Sequence, residues 1–362
     1  MVTRNHIQIF RSLVPMSWAY GLGTGLRNAF YDKEWLQSKR YPLPVICVGN
    51  LAVGGTGKTP HTEYIVRLLQ EQGLQVATLS RGYGRKTKGF LIANRQHTAQ
   101  EIGDEPWQLK HNLQKVTVAV DEDRCHGIER LMQEEHPRID AVILDDAYQH
   151  RSVKAGLYIL LTDYHRLYTE DMLLPAGRLR ESKRGAERAH LVVVTKCPSD
   201  MSESDFEGIK SRLNLLPHQQ LFFSTIAYDT PTPVFKQAKA WPSETDDSLH
   251  LLAVTGIAHP EPMTEYLRQL TPHVELMSFP DHHDFSKHDL DNIARRFERI
   301  EGDRRIITTQ KDAARLQGME SLLPEIIKTH LYALPIRIRF LNNQQEAFDR
   351  NIIDFVRLDA RR

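Results

Sequence analysis

A glycine-rich turn ending in Gly57-Lys58-Thr59 is the most chemically specific stretch of the 362-residue chain. It follows Val45, Ile46, Cys47 and Val48, a short apolar run that predicts a buried strand. Val53, Gly54, Gly55, Thr56, Gly57, Lys58 and Thr59 then make a phosphate cradle. In such a turn backbone N–H groups converge on oxyanions, and the start of the next helix adds positive potential. The lysine reaches the β- and γ-phosphates, and the threonine hydroxyl ligates Mg²⁺. The strict motif has glycine five residues before Gly57, where this chain has Ala52. The second half of a nucleotide site is Ile139 to Leu144, an apolar run ending in Asp145-Asp146. A carboxylate at a strand end opposite a phosphate loop is what holds the metal in P-loop enzymes. A nucleotide's phosphates and Mg²⁺ are what these two halves predict.

Three further stretches carry groups able to act. Ser80-Arg81-Gly82-Tyr83-Gly84-Arg85 follows a predicted strand, Gln75 to Leu79. Its arginines are either phosphate contacts at a strand's carboxyl end or a solvated basic turn. Asp104, in Gly103-Asp104-Glu105-Pro106, is either an N-cap or a base. His282, in Pro280-Asp281-His282-His283, follows a predicted strand, His273 to Phe279.

The elements that must position these groups alternate in α/β fashion. Helices are expected over His61 to Gln72, Pro262 to Leu270, His288 to Ile300 and Gln344 to Val356, and strands at Val116 to Val120, Gly156 to Thr162, Gln220 to Tyr228, His250 to Thr255 and Arg304 to Thr309. No repeat or low-complexity tract interrupts them. Lys and Arg number 47 against 46 Asp and Glu, which removes any global electrostatic argument for a nucleic-acid partner. Cys47, Cys125 and Cys197 match no metal spacing and suit a reducing compartment. Ser12 to Leu26 is uncharged but contains Pro15 and three glycines, and it is shorter than the roughly 20 apolar residues a spanning helix needs. Ile7, Phe10, Val14, Trp18 and Leu22 recur at near-helical spacing, with Arg4, Arg11, Arg27, Lys33, Lys39 and Arg40 around them. That pattern suits either an anionic membrane surface or packing on the protein's own core.

VGGTGKTP, LSRGYGR, GDEP, LDDAYQH and LLPAGRLRE occur in this order, followed by GIAHP and FPDHHDF. Together they resemble the tetraacyldisaccharide 4'-kinase family, the lipid A 4'-kinases, over nearly the whole chain. The resemblance implies ATP-dependent phosphorylation of the 4'-hydroxyl of an acylated glucosamine disaccharide 1-phosphate, by a peripheral enzyme on the cytoplasmic face of the bacterial inner membrane. By motif position it implies Lys58 and Thr59 as the phosphate-loop pair and Asp145 and Asp146 as metal carboxylates. It also implies Asp104 and His282 as a base dyad, and Arg124, Arg180 and Glu181 as active-site residues, with Glu181 placed among the metal ligands. Ala147 stands where the family commonly has glycine, and Arg178 where it commonly has proline. A sugar hydroxyl is a weak nucleophile, so a carboxylate polarised by histidine suits the reaction on chemical grounds as well.

The expected architecture is therefore α/β. A helical membrane-associated segment (1–40) precedes a P-loop NTPase-type α/β/α domain (41–228) and a smaller α/β/α unit (229–362), with the site in the cleft between them. A GTPase is disfavoured, because Thr195-Lys196-Cys197-Pro198 and Thr309-Gln310-Lys311-Asp312 both depart from the guanine-reading Asn-Lys-x-Asp. Metal insertion would want His/Cys clusters, and His282-His283 is the one candidate pair. A non-catalytic, membrane-recruited ATP-binding protein would bind nucleotide without transferring phosphate.

Overall fold

Near-continuous apolar runs such as AVILD and LVVVT read as strands buried on both faces, and the computed structural model places them in the middle of a wide sheet. It describes residues 9–134, 137–242, 248–257, 259–280 and 283–359. Arg4, Ile7 and His282 lie outside these. The chain forms two compact units. One comprises the chain up to Gln96, Leu109–Ile226 and the chain from Ile338 onward; the other comprises His97–Gln108 and Ala227–Arg337.

The larger unit is built on β1 (Val45–Asn50), β2 (Val76–Ser80), β3 (Leu91–Ile92), β4 (Thr117–Val120), β5 (Ala141–Asp145), β6 (Leu157–Asp163), β7 (Leu191–Thr195) and β8 (Gln220–Tyr228). The smaller contains β9 (Thr232–Pro233), β10 (His250–Thr255), β11 (His273–Ser278), β12 (Arg304–Thr309) and β13 (Leu331–Leu334), and β14 (Ile336–Phe340) completes the larger sheet. Among the described residues the larger sheet runs β14-β8-β7-β6-β1-β5-β2-β4-β3. From β8 to β4 all neighbours are parallel, and β3 runs antiparallel on β4. Central β1 pairs with β5 on one side, Val48 opposite Asp145, and with β6 on the other, Ile46 opposite Leu157. The order reverses at β1, and open α/β sheets bind ligands at the carboxyl ends of strands at such a point. The helix Lys58–Glu71 follows β1 and buries Ile65, Val66 and Leu69.

The carboxyl-terminal helix Gln345–Asp359 matches the expected position but belongs to the larger unit rather than to the second. An aromatic cluster holds it there. Phe340 stacks on Phe348 at 4.2 Å, Phe222 meets Phe348 edge-on at 5.3 Å, and Tyr64 donates to Asp349 at 2.7 Å. Likewise 97–108, which contains Asp104, joins the smaller unit rather than the phosphate-loop unit in which sequence order places it.

At the amino terminus Val14–Asp32 forms one helix, opened by Pro15 in its first turn. No helix among the described residues is long and apolar enough to cross a membrane. The smaller unit has its own sheet, β11-β10-β12-β13-β9, parallel except for β9. Its core gathers Leu252, Val254, Leu290, Phe297, Ile306 and Leu331.

Candidate active site

Gly57 caps the helix Lys58–Glu71 at φ +82°, a left-handed conformation that favours glycine. The loop before it is fixed from three sides. Asn50 Nδ2 donates to Thr56 Oγ1 at 2.8 Å, and Thr195 Oγ1 donates to the Thr56 carbonyl at 2.9 Å. His61 binds the Gly57 carbonyl through Nδ1 at 2.7 Å and meets Ser224 Oγ through Nε2 at 3.0 Å. A carbonyl only accepts, so Nδ1 carries a proton. Burial pushes the ring's pKa down to about 4.

The departure at Ala52 has a structural reason. Val53 N–H donates to the Arg178 carbonyl at 2.8 Å, Arg180 N–H donates to the Leu51 carbonyl at 2.7 Å, and Ala52 bridges Leu179 in antiparallel fashion. Residues 51–53 are thus strand-like where the strict motif has a glycine. The departure at Arg178 is used as well. Its backbone N–H donates to the buried Asp171 at 3.2 Å, a bond that proline lacks the proton to make.

This zipper carries Arg180 to Asp146. The guanidinium reaches both carboxylate oxygens, at 3.0 and 3.1 Å, and the buried Lys58 ammonium stands 3.8 Å from Oδ1. Asp146 sits at φ +49° directly after β5. Its neighbour Asp145 is buried and accepts from Thr62 Oγ1 at 3.1 Å. Arg124, at the start of the helix Arg124–Met132, is buried and donates to the Asp121 carbonyl at 2.8 Å. Burial lowers its pKa to about 10, against the charges of Asp146 and Asp145, so it stays cationic at neutral pH. Lys58, Thr59, Arg124, Asp145, Asp146 and Arg180 all belong to the larger unit and surround the phosphate loop.

Glu181 is held by three donors. Its Oε1 accepts from Gln149 Nε2 at 3.0 Å and Arg188 at 2.8 Å, and its Oε2 accepts from Asn28 at 2.9 Å. These donors orient the carboxylate, and no group of three or more His, Cys, Asp or Glu able to hold a metal is found among the described residues. Thr59, Asp145, Asp146 and Glu181 offer the hard oxygen donors that Mg²⁺ takes, with the remaining positions left to phosphate oxygens and water. That is the usual arrangement for this ion.

Of the two arginines in 80–85, Arg85 is structural. It pairs with Glu122 at 2.7 Å and donates to the Gly89 carbonyl at 2.7 Å. Arg81 is exposed, and its charge is felt by Arg124 and His150. His150 was not singled out by the sequence. Burial, aided by Arg124, Arg81 and Arg27, pushes its pKa down to about 4, leaving a neutral imidazole beside the carboxylates. Its place just after Asp145-Asp146 was the available signal.

The amino-terminal helix is also part of this surround. Beyond Asn28, Tyr20 donates to the Arg180 carbonyl at 2.8 Å and Arg27 to the Gln149 carbonyl at 3.1 Å. Ser17 Oγ donates to the Leu173 carbonyl at 2.9 Å and accepts from Ala176 N–H at 3.0 Å. Gly21 permits the close approach, since a Cβ there would lie 2.6 Å from Leu173.

In the smaller unit Asp104 is the first residue of the helix Asp104–Asn112, not its cap. Its Oδ2 takes a hydrogen bond from Arg315 at 2.6 Å. His283 stacks on Phe279 and donates or accepts through Nε2 at Asp289, 3.0 Å away. Asp289 caps its own helix with Ser286, and the Ser286 hydroxyl and N–H hold its carboxyl down to about 2. His283 is thereby committed to a structural role.

A family profile described as tetraacyldisaccharide-1-P 4'-kinase matches residues 9–357. The chain belongs to the tetraacyldisaccharide 4'-kinase family. It is 49% identical over 362 residues to a tetraacyldisaccharide 4'-kinase of Bacteroides fragilis, covering 99% of this chain and 96% of the relative. It is 46% identical to one of Flavobacterium johnsoniae, covering 95% and 96%. A crystal structure titled as an "apo" form of LpxK from Aquifex aeolicus in complex with ATP superposes with a TM-score of 0.73 at 30% identity, over 96% of this chain and 98% of that one. The kinase is an ATP-dependent phosphotransferase that acts on the 4'-hydroxyl of a lipid A disaccharide precursor, as the sequence motifs implied.

Proposed function

We propose that the kinase holds the ATP triphosphate on Val53–Thr59 and uses Lys58, Arg124 and Arg180 to neutralise charge on the transferring phosphoryl group. The observation that carries this reading is the convergence of Lys58 and Arg180 on Asp146 beside the left-handed Gly57 turn. Thr59 with Asp145, Asp146 and Glu181 would hold Mg²⁺, which when bound neutralises phosphate charge. Asp104, polarised by His282, takes the proton of the 4'-hydroxyl. The sugar oxygen then attacks the γ-phosphorus, and ADP leaves with the bridging oxygen. Positioning and fixed positive charge supply most of the acceleration.

The substrate's acyl chains place the reaction at a lipid surface. Trp18, Leu22 and Leu26 are 71%, 75% and 55% exposed along one face of the helix Val14–Asp32, while Ser17, Thr24 and Asn28 lie on the opposite face at 3.6-residue periodicity. We assign the exposed face to the anionic cytoplasmic surface of the inner membrane, with the protein bound peripherally.

Transfer from γ-labelled ATP to a tetraacyldisaccharide 1-phosphate in detergent micelles is the test. Asp104→Asn should lower kcat by about 10²–10⁴ with ATP affinity kept. A variant as active as wild type would remove Asp104 from the role of base.

A further inference from the structure

The Thr309-Gln310-Lys311-Asp312 stretch, set aside above as a guanine reader, opens the helix Gln310–Gln317, and its polar groups are organised around a buried ion. Asp312 is fully buried. Its Oδ2 accepts from Thr309 Oγ1 at 2.8 Å, Gly256 N–H at 3.0 Å and Thr255 Oγ1 at 3.3 Å. The other oxygen, Oδ1, faces Arg315 Nη1 at 3.9 Å, one helical turn on. Arg315 in turn sends Nη2 to Asp104 Oδ2 at 2.6 Å and Nη1 to the His283 carbonyl at 3.3 Å. Its side chain is only 12% exposed.

A buried carboxylate needs a compensating charge, and an arginine shared by two carboxylates is held in orientation by both. The planar fork matters, because its two terminal nitrogens reach two acceptors that lie 179 positions apart in sequence (283 − 104). Among the described residues Arg315 is the side chain seen to touch both Asp104 and the backbone at His283. All of these groups belong to the smaller unit.

We propose that Arg315, oriented by Asp312, is a positioning residue of the phosphoryl-transfer reaction, fixing the Asp104 carboxylate and the turn at His283 in one geometry. The inference rests on Asp104 being the base. Arg315 holds one carboxylate oxygen and so sets the direction of the other.

The experiment measures kcat, KM for ATP and melting temperature for Asp104→Asn, Arg315→Met, Arg315→Lys and the double variant Asp104→Asn/Arg315→Met. Expected are a fall in kcat of about 10²-fold for Arg315→Met, the scale of a misplaced reacting group, and an unchanged KM for ATP. Arg315→Lys, which keeps the charge but cannot span both acceptors, should recover part of the loss without reaching wild type. In the double variant the second substitution should add less than about twofold to the loss from Asp104→Asn, as groups acting in one unit do. Wild-type kcat in Asp104→Asn would overturn the base reading itself. An impaired Asp104→Asn beside a fully active Arg315→Met would overturn only the positioning role, as would multiplicative losses in the double variant. Should Arg315→Met fail to fold, Arg315→Lys decides, because a folded lysine variant with wild-type kcat overturns the proposal.

Discussion

At the scale of single residues, the proposed transfer relies on fixed cations gathered around a short loop. Lys58 is buried and aimed at Asp146, with Arg180 on the same carboxylate. A preorganised donor in such a setting is worth roughly 3–4 kcal/mol of transition-state stabilisation. Lys58→Ala should therefore cost about 10²–10³ in kcat with little change in melting temperature, measured by transfer from labelled ATP. Activity within about tenfold of wild type would contradict the assignment. His61 makes a prediction of opposite kind, in stability rather than turnover. The folded protein holds its pKa near 4, whereas the unfolded chain takes the proton near 6.5. Below pH 6.5 the unfolded state binds more protons, so this contribution is fully present above 6.5 and is lost as the pH falls toward 4. A shift of that size corresponds to about 3 kcal/mol. Urea unfolding between pH 7.5 and 5 should show the loss, and His61→Asn should flatten the slope. An unchanged slope would mean that the ring is not held neutral beneath the phosphate loop.

At the scale of elements, what the sequence made legible were segments whose periodicity and end signals agree. Gln220–Tyr228, His250–Thr255 and Arg304–Thr309 fall where alternation and apolar runs placed them. Short strands that exist only because a neighbour pairs with them, such as Leu91–Ile92 and Leu331–Leu334, carry no such signal. The site was legible in its motifs, because glycine, lysine and paired aspartates are needed at fixed spacing for phosphate and metal. Its braces were not. Asn28, Gln149 and Arg188 orient Glu181 through contacts spanning up to 153 positions, which no local pattern reports. The helix Val14–Asp32 illustrates the difference, since one face is tied to Leu173 and Arg180 while Trp18 and Leu22 stand exposed on the other. Trp18→Ser with Leu22→Ser should reduce co-sedimentation with anionic vesicles while leaving kcat in detergent intact. Ser17→Ala should do the reverse. It strips a buried hydroxyl from the turn leading to Arg180, and orphaned buried groups cost about 1–3 kcal/mol. A Ser17→Ala protein with wild-type kcat and melting temperature would show that the helix merely rests on that turn.

At the scale of the whole molecule, chain order and fold order diverge. The chain builds most of a nucleotide-binding sheet, leaves it for the smaller unit, and returns at Ile338 to finish it. The return is energetically large. Phe348 is fully buried against Phe340, Phe222 and Tyr64, and Leu341 N–H donates to the Phe223 carbonyl at 2.9 Å beside β8. Removing such a ring costs about 3–5 kcal/mol, a large share of the roughly 5–15 kcal/mol by which a native domain exceeds its unfolded state. Phe348→Ala should accordingly lower the melting temperature by several degrees. The loss should be partly restored by saturating ATP, because a ligand that binds only the folded state stabilises it by mass action. A chain ending at Arg337 should lose ATP-dependent stabilisation altogether, although every residue of the phosphate loop is present. The reason is that His61 packs between that loop and Phe340, with ring centroids 6.4 Å apart. Thermal melts of both variants with and without ATP read the outcome directly. A truncated protein that still melts cooperatively and responds to ATP would show that 1–337 already contains a complete nucleotide-binding fold.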